Sequence, residues 1–236
     1  MPSNTGVAEY CGEMVVTDAA LPVVETFHSL QGEGVHTGRS AFFIRLGGCS
    51  VGCSWCDTKH SWPQAPHPTP STEELGVEAG QAAAAGAAFV VITGGEPLHH
   101  QLDGLCEALR DQISLRIGTA LPLHLETSGV DPLSGSFDWI TLSPKLHRPP
   151  TTELLAQCDE LKVIVHDAED LTFAEAMADR AAQARNSLKK RRTPEPWLML
   201  QPGYGSDEGA AIAIEYVKAN PQWRLSLQTH KLLGIN

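Results

Sequence analysis

Three cysteines, Cys49, Cys53 and Cys56, fall within eight positions of the segment GGCSVGCSWCDTKH, and no fourth cysteine stands nearby. Three thiolates suit a soft transition metal or an iron–sulfur cluster better than a hard cation such as magnesium. A disulfide is a poor alternative, because three thiols cannot all pair and C-x2-C spacing is more typical of metal or redox sites. Two arrangements fit. Cys49, Cys53, Cys56 and His60 can close a four-ligand zinc site, since the Cys56-x3-His60 interval lies within finger spacing. Alternatively, three cysteines bind three irons of a cubane and leave the fourth iron open to a substrate or cofactor.

The elements that position such a loop follow from periodicity. Short, β-rich apolar runs recur at 23–27, 41–46, 89–93, 121–126, 139–142, 161–165, 198–201 and 224–227. Helical patterns lie between several of them. Ser71 and Glu74 form a capping box ahead of an alanine-rich helix, Leu98, Leu102, Leu105 and Leu109 make an apolar stripe, and residues 169–185 and 207–218 repeat the helical period. Strand alternating with helix predicts an α/β chain with parallel strands. No G-x-G-x-x-G turn points to a dinucleotide fold, and the expected architecture is a partial β/α barrel of about six parallel strands. Residues 128–137 are too few and too rich in Gly and Pro for a full helix, so at least one crossover is reduced. Functional groups in such folds gather where strands end. TGGEP after VVI, ETSG after LHL, SPK after WITL and QPG after LML all fall there. Each is also ordinary turn chemistry taken singly.

At 236 residues and 42% hydrophobic content the chain suits one domain over 1–236, with 1–21 a loosely ordered N-terminal extension. A formal charge of −11 argues against a nucleic-acid surface. The one basic run, Lys189 to Arg192, reads as a solvated loop. No stretch approaches the roughly 18 apolar residues of a membrane span, and no secretory leader is evident, so a reducing cytoplasm is expected. Cys11, Cys106 and Cys158 lack partner spacing and read as small buried or incidental residues. The apolar ending KLLGI suggests a docked terminus.

The C-x3-C-x2-C loop, with an aromatic before its last cysteine and Gly94-Gly95-Glu96-Pro97 one strand later, resembles the radical S-adenosylmethionine enzymes. In that superfamily three cysteines hold a 4Fe–4S cluster, and the open iron chelates the amino and carboxylate groups of S-adenosylmethionine. Paired glycines there let the backbone approach the methionyl ammonium, while Glu96 adds a charged contact or braces the turn. From Glu25 onward, FHSLQGEGVHTGRSAFFIRLGGC, CDTKHSW, TGGEP, LETSG, LSPK and LQTHKLLGIN are similar to the 7-carboxy-7-deazaguanine synthase family. Its members are ring-contracting lyases of queuosine-type biosynthesis. They convert 6-carboxy-5,6,7,8-tetrahydropterin to 7-carboxy-7-deazaguanine with loss of ammonia, using S-adenosylmethionine and Mg2+.

The resemblance implies roles for individual positions. Cys49, Cys53 and Cys56 are the expected cluster ligands. Trp55, Cys56 and Asp57 lie against S-adenosylmethionine, as do Gly94, Gly95, Glu96, Ser128, Ser143, Pro144, Lys145, Gln201, Pro202, Gly203 and Tyr204. Thr58 offers Mg2+ a hard oxygen. Leu30, Gln31, Gly32, Glu33, Arg45, Thr93, His230 and the terminal Asn236 are the expected substrate contacts, Arg45 by pairing with a carboxylate. A flavodoxin- or ferredoxin-type electron donor and a homodimer are the expected partners. Two other readings compete: an activase of a glycyl-radical protein, against which the compact SLQGEG turn argues, and a non-catalytic zinc or cluster-binding module. Residues 185–195 and 113–120 form connections longer than the family minimum.

Overall fold

A computed structural model describes residues 21–187 and 195–235. The first twenty residues of the expected extension, the basic run 189–192 and Asn236 lie outside the described residues. Among the described residues eight strands form one sheet in chain order: β1 (Val23–Leu30), β2 (Ser40–Leu46), β3 (Val90–Gly94), β4 (Leu123–Thr127), β5 (Trp139–Leu142), β6 (Glu160–Val165), β7 (Trp197–Pro202) and β8 (Trp223–Leu225). All eight apolar runs are strands. β1 pairs antiparallel with β2, and every later pair is parallel, giving seven parallel strands rather than about six. Residues 31–39 between β1 and β2 are fewer than the dozen or so a crossover needs, so the chain turns straight back.

The crossovers carry α1 (Thr72–Ala84), α2 (Asp103–Ile117), α3 (Thr152–Gln157), α4 (Ala168–Ser187) and α5 (Asp207–Ala219), and α6 (Thr229–Leu233) follows β8. The expected capping box opens α1: the Ser71 hydroxyl accepts the Glu74 amide at 3.2 Å, and the Glu74 carboxylate accepts the Ser71 amide at 2.8 Å. The leucine stripe is not one helix. Leu98 sits in the 3-10 turn Pro97–His99 and Leu102 is the N-cap residue of α2, although all four leucines are buried. Between β4 and β5 there is no helix, in keeping with the short Gly- and Pro-bearing connection. α3 was not anticipated; six residues capped by the Thr151 side chain are too few for a helical period to register.

Period-two alternation sorts each strand into two faces. Phe42, Ile44 and Leu46 of β2, Val90 and Ile92 of β3, Leu123 and Leu125 of β4, and Leu161, Val163 and Val165 of β6 join the large core beneath the helices. The opposite face of the curled sheet is apolar at its base, where Ala41, Phe43, Phe89 and Val91 pack together with Phe27. Toward the C-terminal ends of the strands the same inner register carries Arg45, Thr93, Glu126, Thr141, Lys162 and Gln201. The fold therefore stacks polar side chains on an apolar floor. Among the described residues no helix is long and apolar enough to cross a membrane.

Candidate active site

These inward side chains and the rim loops enclose a cavity of about 330 Å³. It brings together the three cysteines, Thr58 and every position expected from the sequence to bind cofactor or substrate, except Pro144, which does not line it, and Asn236, outside the described residues.

The cysteine loop forms one wall. It is closed on itself by the amides of Gly48 and Cys49, which donate to the Ser61 and Trp62 carbonyls at 2.8 and 2.9 Å. The Trp62 indole N–H donates to Cys56 Sγ at 3.3 Å, and Thr58 Oγ1 lies 3.6 Å from the same sulfur. Burial pushes the thiols of Cys49 and Cys53 up, and the neighbouring sulfurs add to the effect. For Cys53, the Lys145 ammonium opposes it. Lys145 is itself driven down by burial, and its Nζ donates to Ser143 Oγ at 2.8 Å. His60 is exposed and does not line the cavity that Cys49, Cys53 and Cys56 face, so the four ligands of the closed zinc arrangement are not brought together.

The TGGEP turn is seated against the cysteine loop. A Cβ on Gly95 would lie 2.5 Å from the Gly48 carbonyl oxygen, and Gly94 adopts φ 132°. The amides of Gly95 and Glu96 donate to the Leu46 and Gly48 carbonyls at 2.8 and 2.9 Å. What these glycines admit is the backbone entering the cysteine loop, rather than a ligand alone. Glu96 is a brace. Its buried carboxylate accepts the Leu98 amide at 3.2 Å, Thr127 Oγ1, the Ser128 amide at 2.8 Å and the Ser128 hydroxyl, locking the end of β3 to the end of β4.

The opposite wall is ionic. Glu126 accepts from Gln31 Nε2 and Thr93 Oγ1, each at 2.9 Å. Lys162 pairs with Glu33, whose other oxygen accepts Gln228 Nε2 at 2.8 Å. Burial alone would raise the Glu33 carboxyl, but Lys162 outweighs it and holds it at about 2. Burial would likewise lower Lys162, yet Glu33, Glu126 and Glu160 around it drive it upward. Arg45 is tied through Nε to Glu25 at 2.7 Å, so its remaining donors are the terminal nitrogens.

Lys162, Glu126, Gln228 and His166 line the cavity without having been singled out as site residues. The signal for the first two was present: a charge inside an apolar run, in register with the inner face. His166 packs on Gly203 and meets Trp55 edge-on at 5.4 Å between centroids. The tail does not dock by its apolar residues. Leu232 and Leu233 are 77% and 65% exposed, and α6 is held by polar contacts from Thr229 to the Gly32 carbonyl and from Lys231 to Asp57.

Three cysteines on the loop after the first parallel strand of a partial barrel, opening on a rim cavity, define a radical S-adenosylmethionine enzyme. Residues 43–172 accordingly match the family model described as the Radical SAM superfamily. The chain is 56% identical over 220 residues to the 7-carboxy-7-deazaguanine synthase of Prochlorococcus marinus, covering 91% of this chain and 98% of that one. It is 34% identical over 233 residues to the Escherichia coli synthase, at 91% and 98% coverage. The crystal structure of QueE from Escherichia coli superposes with a TM-score of 0.70 at 33% identity, over 88% of this chain and 93% of that chain. The protein belongs to the 7-carboxy-7-deazaguanine synthase family.

The cofactors of this class, a 4Fe–4S cluster and S-adenosylmethionine, suit the residues present. Three thiols face one cavity beside a lysine; burial raises those of Cys49 and Cys53, and coordination by a cationic cluster would reverse that penalty by deprotonating them.

Proposed function

We propose that this chain converts 6-carboxy-5,6,7,8-tetrahydropterin to 7-carboxy-7-deazaguanine with loss of ammonia, as a radical carbon–nitrogen lyase of queuosine-type 7-deazapurine biosynthesis. The observation that carries the reading is one rim cavity with cysteines on one wall and an ordered amide, carboxylate and cation set on the other. Bound at Cys49, Cys53 and Cys56, the cluster with S-adenosylmethionine supplies one-electron chemistry that removes a hydrogen atom from substrate.

The protein's part is binding and orientation. Gln31, Glu33, Thr93 and His230 meet the polar edges of the pterin, joined by Glu126, and the Arg45 guanidinium pairs with its carboxylate. Trp55, Asp57, Ser128, Lys145 and the turn from Gln201 to Tyr204 surround the cofactor, and Thr58 gives Mg2+ its hydroxyl. The apolar floor of Phe27 and Phe43 keeps the base of the cavity dry. A flavodoxin- or ferredoxin-type carrier in the cytoplasm delivers the electron, and the chain acts as a homodimer.

Anaerobic incubation of the iron-loaded chain with reductant, S-adenosylmethionine and Mg2+ tests this. Release of 5′-deoxyadenosine that depends on the carboxylated pterin, with 7-carboxy-7-deazaguanine as product, is expected. Cofactor cleavage indifferent to the pterin, or a different product, overturns it.

A further inference from the structure

The loop between β1 and β2 carries Gln31, Gly32 and Glu33, and its backbone is fastened by side chains from other parts of the fold. Three successive amides, of Glu33, Gly34 and Val35, donate to Gln31 Oε1 at 3.1 Å, Ser226 Oγ at 2.9 Å and Glu160 Oε2 at 2.9 Å. Gly34 takes φ 66°, and a Cβ there would lie 2.2 Å from Glu160 Oε1, so glycine is what lets the loop settle on these partners. Ser226 and Glu160 stand behind the cavity wall and do not line it.

Ser226 carries the contact onward to the cofactor side of the site. It follows β8 directly, is 2% exposed, and its amide donates to the Leu200 carbonyl of β7 at 2.9 Å. Its hydroxyl donates to Gln201 Oε1 at 2.8 Å. A backbone amide can only donate, so the Ser226 oxygen accepts from Gly34 and its single proton goes to Gln201, which must turn its amide oxygen toward it. Gln201 lines the cavity at the start of the turn to Tyr204, and with its oxygen engaged its N–H2 is the group it has to offer a ligand. One chain of donors therefore runs from the Gly34 N–H through the Ser226 O–H to the Gln201 amide N–H. Hydrogen bonds aligned in one direction polarise one another, so an acceptor that takes the Gln201 N–H also strengthens the bond from Gly34.

We propose that Ser226 is a positioning residue that couples the two walls of the site. It fixes the Gln201 amide as a donor toward S-adenosylmethionine and passes that bond on to the Gly34 amide, so that cofactor binding orders the loop that receives the pterin. The inference rests on the cofactor and substrate roles proposed for these two segments. It adds a residue that touches neither ligand and joins positions 192 and 25 residues from it along the chain.

The iron-loaded full chain is prepared anaerobically as wild type, Ser226→Ala and Ser226→Thr, without reductant so that nothing turns over. Hydrogen exchange is followed in peptides covering residues 31–35. Saturating S-adenosylmethionine should slow exchange there by about fivefold or more in wild type and Ser226→Thr, the low end of ordinary coupling between sites, and by less than about twofold in Ser226→Ala. Equilibrium binding of the carboxylated pterin, with and without the cofactor, should follow the same pattern. Equal slowing in Ser226→Ala, no slowing in wild type, or a loss shared by Ser226→Thr overturns the proposal. So does failure of Ser226→Ala alone to take up iron, which would make the hydroxyl a scaffold only. A wild-type chain that binds no S-adenosylmethionine sinks the cofactor reading instead, and a loop that responds to the cofactor in a chain that binds no pterin sinks the proposed function while upholding the coupling.

Discussion

Lys162 of β6 and Glu33 of the β1–β2 loop form an ion pair whose side chains are only 6% and 18% exposed. It ties the centre of the sheet to a loop that arrives from its edge. Gln228 completes the Glu33 carboxylate, so the N-cap residue of α6 is joined to the same pair.

Removing one partner leaves a buried charge. Lys162→Met should destabilise the chain by about 3–5 kcal/mol in urea unfolding at pH 7. The sign of the pH dependence is fixed by Glu33, lowered from 4.5 to about 2. Its contribution is complete above 4.5 and is lost as pH falls through that window toward 2. Wild type should lose stability there more steeply than Lys162→Met; parallel profiles would refute the pairing.

The Glu96 brace predicts a structural penalty. Glu96→Ala strands the Ser128 amide and hydroxyl, Thr127 Oγ1 and the Leu98 amide, at about 1–3 kcal/mol for each donor left unsatisfied. Thermal and urea unfolding should show a loss of at least about 3 kcal/mol, with Glu96→Gln intermediate because an amide accepts through one oxygen only. A loss under about 1 kcal/mol would show that the donors find other partners.

Gly95→Ala tests how the cysteine loop is seated. The new Cβ meets the Gly48 carbonyl, one residue before Cys49. Helix content by circular dichroism should persist while iron uptake after anaerobic reconstitution falls by at least half, an estimate from backbone overlap that cannot relax through a flexible side chain. Full loading would mean that the loop shifts without cost.

Arg45→Ala should weaken pterin binding by about 1.5–3 kcal/mol, roughly 10- to 150-fold, the loss of a charged hydrogen bond. Glu25→Gln should change affinity little, since its partly exposed pair with Arg45 is worth at most about 1 kcal/mol. Equilibrium binding to the loaded chain decides, and wild-type affinity in Arg45→Ala would remove that contact from the site.

Thr58→Ala should leave cofactor cleavage partly intact and weaken its response to Mg2+. Turnover measured across a magnesium titration is the check; an unaltered response would take the hydroxyl out of the metal site.

Much of this was legible along the chain because it is local. Ligand spacing at Cys49, Cys53 and Cys56 is fixed by covalent neighbours. Alternation assigned Thr93 and Gln201 to strand ends, and the Ser71–Glu74 box marked the start of α1 with no tertiary help. Periodicity misled where a turn intervened, as when Pro97 and the braced Glu96 postponed α2 beyond Leu98.

Sequence by itself determined which residues can ligate, where in the chain strands fall, and which strand face carries polar side chains, since backbone period and bond geometry are properties of short segments. Tertiary structure alone decided that Lys162 meets Glu33, that Glu96 serves Ser128, and that His99, His147 and Arg148 grip the loop between Cys49 and Cys53. Those contacts join residues 32 to 129 positions apart. They exist because successive crossovers lay the strand ends side by side, and no local pattern encodes which side chains then face each other across the rim.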